Sequence, residues 1–215
     1  MKTEDLIVQL ARDGRPIRTL SAPAVRLSRW AAGAVTVVAI SSLLIGPRAD
    51  VRTVVQQSVF AWLAILTFVT ALLAAASAFV MSVPGAERWP IQRVVPLAGA
   101  ALWAALLVTV LGAGGEPVRR IVALPIHPLC IIEIAGFGFL TGWPLFSMLK
   151  HGAPLQQKWT AAFATLAAVG LGAAATQFLC PIDDPAHQLV GHFLPVILLS
   201  IAGSVFGRRT LSWLS

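Results

Sequence analysis

Long apolar runs, broken by short polar connections, set the rhythm of this chain. They fall at Trp30 to Gly46, Ser58 to Met81, Val94 to Leu111, Leu129 to Leu149, Trp159 to Leu179 and Leu189 to Phe206. A helix needs roughly 17 to 25 residues to cross a hydrocarbon layer about 30 Å thick. The first and last runs lie at the short end of that range, so four or five spans is the competing count, although every run is bounded by charge or by Pro and Gly. Backbone N–H and C=O groups find no water in lipid and must bond within their own segment. The runs are rich in Ala and Leu, and nothing in them alternates as barrel strands do. The pattern therefore predicts an all-α membrane protein, a bundle of six transmembrane helices.

Composition agrees. Of 215 residues, 57% are hydrophobic and 12% charged, against roughly 25% charged in soluble domains, and the mean hydropathy is +0.81. The polar preface Met1 to Arg29 is longer than the n-region of a signal peptide, and ISSLLIGPRAD offers no clear A-x-A cleavage site. The first run is expected to remain as a membrane anchor.

Basic residues orient the bundle. With both termini in the cytoplasm, Lys2, Arg12, Arg15, Arg18, Arg26, Arg29, Arg88, Arg93, Lys150, Lys158, Arg208 and Arg209 lie inside, and only Arg48, Arg52, Arg119 and Arg120 outside. Twelve of the sixteen on one side is the asymmetry that marks the cytoplasmic face under the positive-inside rule. Trp30, Trp89, Trp159 and Trp213 then sit near the inner interface, each expected to keep its indole N–H wet. The net charge of +7 is topological in origin, and no basic stretch is interleaved with stacking aromatics, so no direct nucleic-acid binding is expected.

That orientation places most of the reactive side chains in one outer layer. FLCPIDDPAHQLVGH, residues 178 to 192, becomes the third external loop, and HPLCIIE, residues 127 to 133, opens the fourth span. Cys130, Cys180, His127, His187, His192, Asp183 and Asp184 share this depth, with Glu133 one helical turn below Cys130. Two cysteines in an oxidising compartment can close a disulfide if their α-carbons come within about 7 Å. Thiolates with imidazole also suit zinc, cadmium or copper(I), and thiolate is the species that oxidants attack. Cys130 and Cys180 are the candidate sensing pair, and with His187 and Asp183 they are the candidate donors for a soft metal ion held transiently; no constitutive cofactor is expected. There is no C-x-x-C and no local two-cysteine, two-histidine module, so any such site must be assembled across helices. The bland alternatives are a small hydrophobe in a helix end for each cysteine, loop polarity for the histidines, snorkelling for Glu133 and turn formation for Asp183 and Asp184 beside Pro181 and Pro185.

Other motifs read as architecture. GAGG at 112 to 115 lacks the Lys and Ser/Thr of a phosphate loop and is a turn. GFLTG at 138 to 142 and GSVFG at 203 to 207 have the small-residue spacing that lets helices approach closely. Pro96, Pro144 and Pro195 each remove a helical hydrogen bond, the last freeing the carbonyl of Gly191. At the N-terminus, Thr3 can cap a short amphipathic helix favoured by Glu4 and Asp5, with Leu6, Ile7, Leu10 and Ala11 on one stripe and Gly14 and Pro16 as its stop. About ten residues are too few for a stable helix in water unaided, so this segment is expected to order on docking, against the lipid bilayer or a protein groove.

The opening MKTEDLIVQLARDGRPIR, the SVPG at 82 to 85, the HGAPL at 151 to 155, and the cysteines in PLC and FLCP, taken in order, resemble the NrsF family of bacterial inner-membrane anti-sigma factors. The resemblance covers essentially the whole chain. It implies a six-span protein whose cytoplasmic N-terminal segment holds an extracytoplasmic-function sigma factor and releases it on stress outside, heavy metals or oxidants among the signals. The family's two outer-face cysteines correspond to Cys130 and Cys180, and its binding segment to Lys2 through Arg18, with Leu6, Ile7 and Leu10 the expected contacts. The expected division is a sigma-binding segment at 1–29, a sensor bundle at 30–207 and a short tail at 208–215. No catalytic residues are expected. The alternatives are a small metal or solute permease, which would need polar residues at mid-bilayer depth in several helices, and a purely structural subunit.

Overall fold

A computed structural model describes residues 3–13, 19–85, 89–122 and 128–212. Lys2, Gly14, Arg15, Pro16, Arg18, Arg88, His127 and Trp213 lie outside the described residues, as do the side chains of Leu10, Arg120 and Arg208. Among the described residues the structure is helical, without strands. A short α1 (Thr3–Asp13) precedes α2 (Pro23–Ile45), α3 (Val51–Val54), α4 (Ser58–Met81), α5 (Ile91–Ala113), α6 (Pro117–Val122), α7 (Pro128–Lys150) and α8 (Gln157–Thr176). The last span opens as α9 (Pro185–His187), passes through a π-helical turn at Gln188–Phe193 and continues as α10 (Leu194–Thr210).

Six of these segments are long and apolar enough to cross a membrane, the sixth running from Pro185 to Gly207. The protein is a multi-pass membrane protein. The starts of the first and last spans differ most from the sequence expectation. α2 starts at Pro23, a residue suited to a first helical turn, and not at Trp30, because Arg26 is buried inside the bundle instead of ending it. The last span starts at Pro185 and not at Leu189, so His187 and His192 belong to a helix and not to a loop.

α8 is the axis of the bundle: 83% of its span is buried, against 17% for α2. Its composition explains that position. Between Thr160 and Thr176 it is mostly Ala and Gly, so α4, α7 and α10 can all pack closely on it. The two small-residue motifs seen in sequence both face it. Gly138 and Gly142 of α7 lie against Val169 and Ala168, while Gly203 and Gly207 of α10 lie against Thr165 and Ala161. A Cβ at Gly203 or Gly207 would overlap its neighbour, so these positions have room only for hydrogen.

Buried polar groups within the bundle are mostly bonded locally. The hydroxyls of Thr67, Thr141, Thr160 and Thr176 donate to carbonyls one turn back, and Gln177 Nε2 donates to Thr67 Oγ1 at 3.1 Å. At the end opposite the cysteines, Arg26 is buried, 4% exposed. Its guanidinium donates to Ser82 Oγ at 3.0 Å and to the Met148 carbonyl, and lies 5.0 Å from the Phe79 ring centroid. It thereby ties the start of α2 to the ends of α4 and α7, taking up one of the carbonyls that the last turn of α7 leaves without a helical partner. Trp30 departs from its expected place at a wet interface. It is buried, and its indole N–H donates to the Thr141 carbonyl at 2.9 Å.

Candidate functional site

α8 ends at Thr176, where the chain turns tightly: the Cys180 N–H donates to the Thr176 carbonyl at 2.8 Å. Pro181 cannot continue a helix, and Asp184 caps the next one, its carboxylate accepting the Ala186 N–H at 2.7 Å. This local chemistry turns Cys180 inward. Cys130 lies in the first turn of α7, fifty positions away in sequence, and meets it there. The two sulfurs are 3.3 Å apart, both thiols free and buried. A covalent S–S bond is about 2.05 Å long, so closing one requires an approach of little more than an ångström.

Two imidazoles complete the group. His187 Nε2 lies 3.4 Å from Cys180 Sγ and 3.7 Å from Cys130 Sγ. His192 packs edge to face against His187, with ring centroids 5.4 Å apart. One ligand atom from each of Cys130, Cys180, His187 and His192 falls within 4.8 Å of the others, and all four residues are buried. His192 has no solvent exposure, and neither of its ring nitrogens has a hydrogen-bond partner. Leaving such a group unsatisfied costs about 1–3 kcal/mol. The His187 ring rests on Gly191, where an added Cβ would stand 3.0 Å from Cε1.

The thiol of Cys180 is held below its ordinary acidity range, chiefly because Cys130 donates its S–H to it and secondarily because of the His187 imidazole; burial opposes both.

Asp183, expected among the donors, is elsewhere. Its carboxylate accepts both terminal nitrogens of Arg48, at 2.6 and 2.7 Å, while Asp50 accepts Nε and Nη2 at 2.6 and 2.8 Å. Arg48 Nη1 also donates to the Cys180 carbonyl at 3.0 Å, and the Arg48 N–H donates to the Phe178 carbonyl at 3.0 Å. Two carboxylates raise the Arg48 pKa, and Arg48 in turn lowers that of Asp50. The connection from α2 to α3 is thus clamped onto the segment that carries Cys180. The sequence places His192 in the same layer but not among the donors, and gives Arg48 no part in the site. The cue for Arg48 was GPRAD, an arginine two residues from an acid in a short connection; for His192 it was Pro195, whose missing N–H loosens the preceding turn. Glu133 lies one turn from Cys130, half-buried. At the other end of the chain, Leu6 and Ile7 on α1 are exposed, at 41% and 60%.

A family model described as a negative regulator of sigma F matches residues 10 to 213, nearly the whole chain. The chain belongs to the NrsF family. Nothing among curated proteins or solved structures matches it. Family membership makes the protein a negative regulator of a sigma factor, with a sigma factor as its partner, and a regulator by family description instead of an enzyme. The NrsF match begins at residue 10, so Leu6 and Ile7 precede it and Leu10 opens it.

Proposed function

We propose that this chain is an anti-sigma factor of the bacterial inner membrane, with both termini cytoplasmic, that sequesters an extracytoplasmic-function sigma factor and releases it when the Cys130–Cys180 pair reacts with periplasmic heavy metal or oxidant. The family supports the regulatory half. The sensing half is carried by one observation: two free, buried thiols from distant segments meet at 3.3 Å at one end of the bundle. The positive-inside asymmetry supports a periplasmic position for that end. On the cytoplasmic side the contact is α1, whose apolar stripe of Leu6, Ile7 and Leu10 suits a groove on a soluble protein.

A thiol event displaces the outer end of α7 relative to the segment that follows α8, and the bundle carries that shift to the cytoplasmic face. Driving the sigma factor from mostly bound to mostly free takes roughly 5.5 kcal/mol of differential affinity. Ligation of a soft ion by thiolates is worth about 10 to 16 kcal/mol in structural zinc sites, enough to supply it. A permease reading finds little support in the bundle, where the hydroxyls of Thr67, Thr141, Thr160 and Thr176 and the amide of Gln177 bond to neighbouring groups rather than line a path.

The test is a pull-down of the tagged chain from membranes of unstressed and cadmium-treated cells. A sigma factor should be retained without cadmium and lost with it. Cys130→Ser together with Cys180→Ser should retain the sigma factor in both conditions. Release from that double variant would remove the cysteines from the mechanism, and failure to recover any sigma factor from unstressed membranes would remove the regulatory reading.

A further inference from the structure

We propose that Cys130, Cys180, His187 and His192 form a complete four-ligand site for one thiophilic divalent cation of the zinc or cadmium class, with His192 as a direct ligand. This deepens the sensing reading above by naming the donors and the ion class, although binding itself requires no sigma factor.

Distances support a tetrahedral site. Metal–sulfur and metal–nitrogen bonds of about 2.3 and 2.0–2.1 Å place tetrahedral ligands about 3.8 Å apart for two sulfurs and about 3.5 Å apart for sulfur and nitrogen. The sulfur to nitrogen separations at His187 are 3.4 and 3.7 Å, and the two sulfurs stand at 3.3 Å. An entering ion need only spread the thiols by about half an ångström. Two thiolates balance a divalent charge, which matters in a site whose four residues are all buried. Hard cations such as calcium and magnesium take oxygen ligands, and the nearby carboxylate of Asp183 is held by Arg48.

His192 is the decisive member. A fully buried imidazole with neither nitrogen bonded is rare in folded proteins, and a ligated ion gives one of those nitrogens a partner. The backbone is shaped to present it. In an α-helix, residues five apart are separated by about 140° around the axis, so His187 and His192 would face different ways. The π-helical turn at Gln188–Phe193 closes with a hydrogen bond from the Leu194 N–H to the Leu189 carbonyl, five residues apart, and swings His192 back toward His187. Pro195 has no N–H to offer Gly191, which removes one of the α-helical bonds that would resist this wider turn. π-helical turns inside helices are frequent at functional sites.

The probe is cadmium alone. The full chain, purified in detergent, reduced and stripped of metal by a chelator, is titrated with cadmium chloride while the thiolate-to-cadmium charge-transfer absorbance is followed. The band should saturate at one ion per chain with the intensity of two thiolates. His192→Ala should raise the apparent Kd at least about tenfold and leave the intensity per bound ion unchanged. His192→Cys should keep one ion per chain and raise the band by half, because a third thiolate joins; a residue that only packs would not produce that gain. Wild-type affinity in His192→Ala together with an unchanged band in His192→Cys would remove His192 from the site, and absence of the band in the wild-type chain would overturn the proposal. A sigma pull-down on the same preparations separates the two readings: cadmium binding without sigma release leaves the site standing and removes its signalling role, whereas sigma release without the band does the reverse.

Discussion

Replacing Arg48 should unfasten the outer end of the bundle, and the cost can be worked from its contacts. The side chain is 2% exposed, while its carboxylate partners Asp50 and Asp183 are 54% and 40% exposed. Arg48→Gln removes two charge pairs and the bond to the Cys180 carbonyl. Both carboxylates regain water, so each pair is worth only the 0 to 1 kcal/mol or so of a largely solvated ion pair, and the carbonyl adds about 1 kcal/mol. The expected loss is about 1–3 kcal/mol. For a chain of this length, each kcal/mol lowers Tm by about 2–4 °C, so a fall of roughly 2–12 °C is expected. Thermal unfolding in detergent, read by the fluorescence of the buried Trp30 and Trp103, measures it. Arg48→Lys keeps the charge but not the planar fork that grips both carboxylates, and should recover less than half of the loss. A melting point for Arg48→Gln within about 2 °C of wild type would refute the clamp.

Two further outcomes follow from the same structure. Gly207→Leu drives a side chain into Ala161 on the buried face of α8 and should cost about 3 kcal/mol or more or prevent accumulation in the membrane, whereas Gly136→Leu, with nothing within 4 Å of its added Cβ, should melt like wild type; equal effects at the two positions would contradict the packing. Arg48 lowers the Asp50 pKa, so this linkage stabilises the fold above the ordinary carboxylate value of about 3.9 and is lost as pH falls through the lower, folded value. The melting temperature should hold between about pH 5 and 8 and fall below about pH 4, with a smaller acid fall in Arg48→Gln; an unchanged acid limb in that variant would disconnect the clamp from it.

The six spans were legible because lipid leaves a backbone no partner but its own helix, a constraint that apolar length alone reports. Charge counting was a poorer guide at the ends. It took Arg26 and Arg29 as the boundary of the first span, yet Arg26 satisfies its guanidinium with Ser82, the Met148 carbonyl and the Phe79 ring, so the helix continues through it. It also counted Arg48 only as an outer-side charge, whereas the structure buries it between two acids. Topology alone brought Cys130 and Cys180 to one depth, but not to 3.3 Å, since that depends on how α7 packs on α8. Choosing Asp183 over His192 as a donor followed from treating residues 178 to 192 as a loop. The alternation of apolar and polar positions carries no sign of a π-helical turn, and that turn decides which side chains converge.

The regulatory reading also needs a route between the ends of the bundle, and α7 offers one. It carries Cys130 in its first turn and, near its last, Met148, whose carbonyl accepts Arg26. Between them it is interlocked with α8: Gly138 and Gly142 seat Val169 and Ala168, and Gly172 seats the Ile134 carbonyl and Phe137 Cβ. An interface so close-packed resists gradual deformation and favours discrete rearrangement. On the proposed mechanism, a displacement at Cys130 would pass along this α7–α8 interface toward the turn that holds Arg26. Arg26 lies in the first turns of α2, directly after the segment that leads from α1. The compliant element is at the other side of the cysteine pair, where the π-helical turn trades α-helical bonds for wider ones. On the proposed mechanism the outer site would deform, and the first structure that α7 touches at its far end is the start of α2, next to the N-terminal segment.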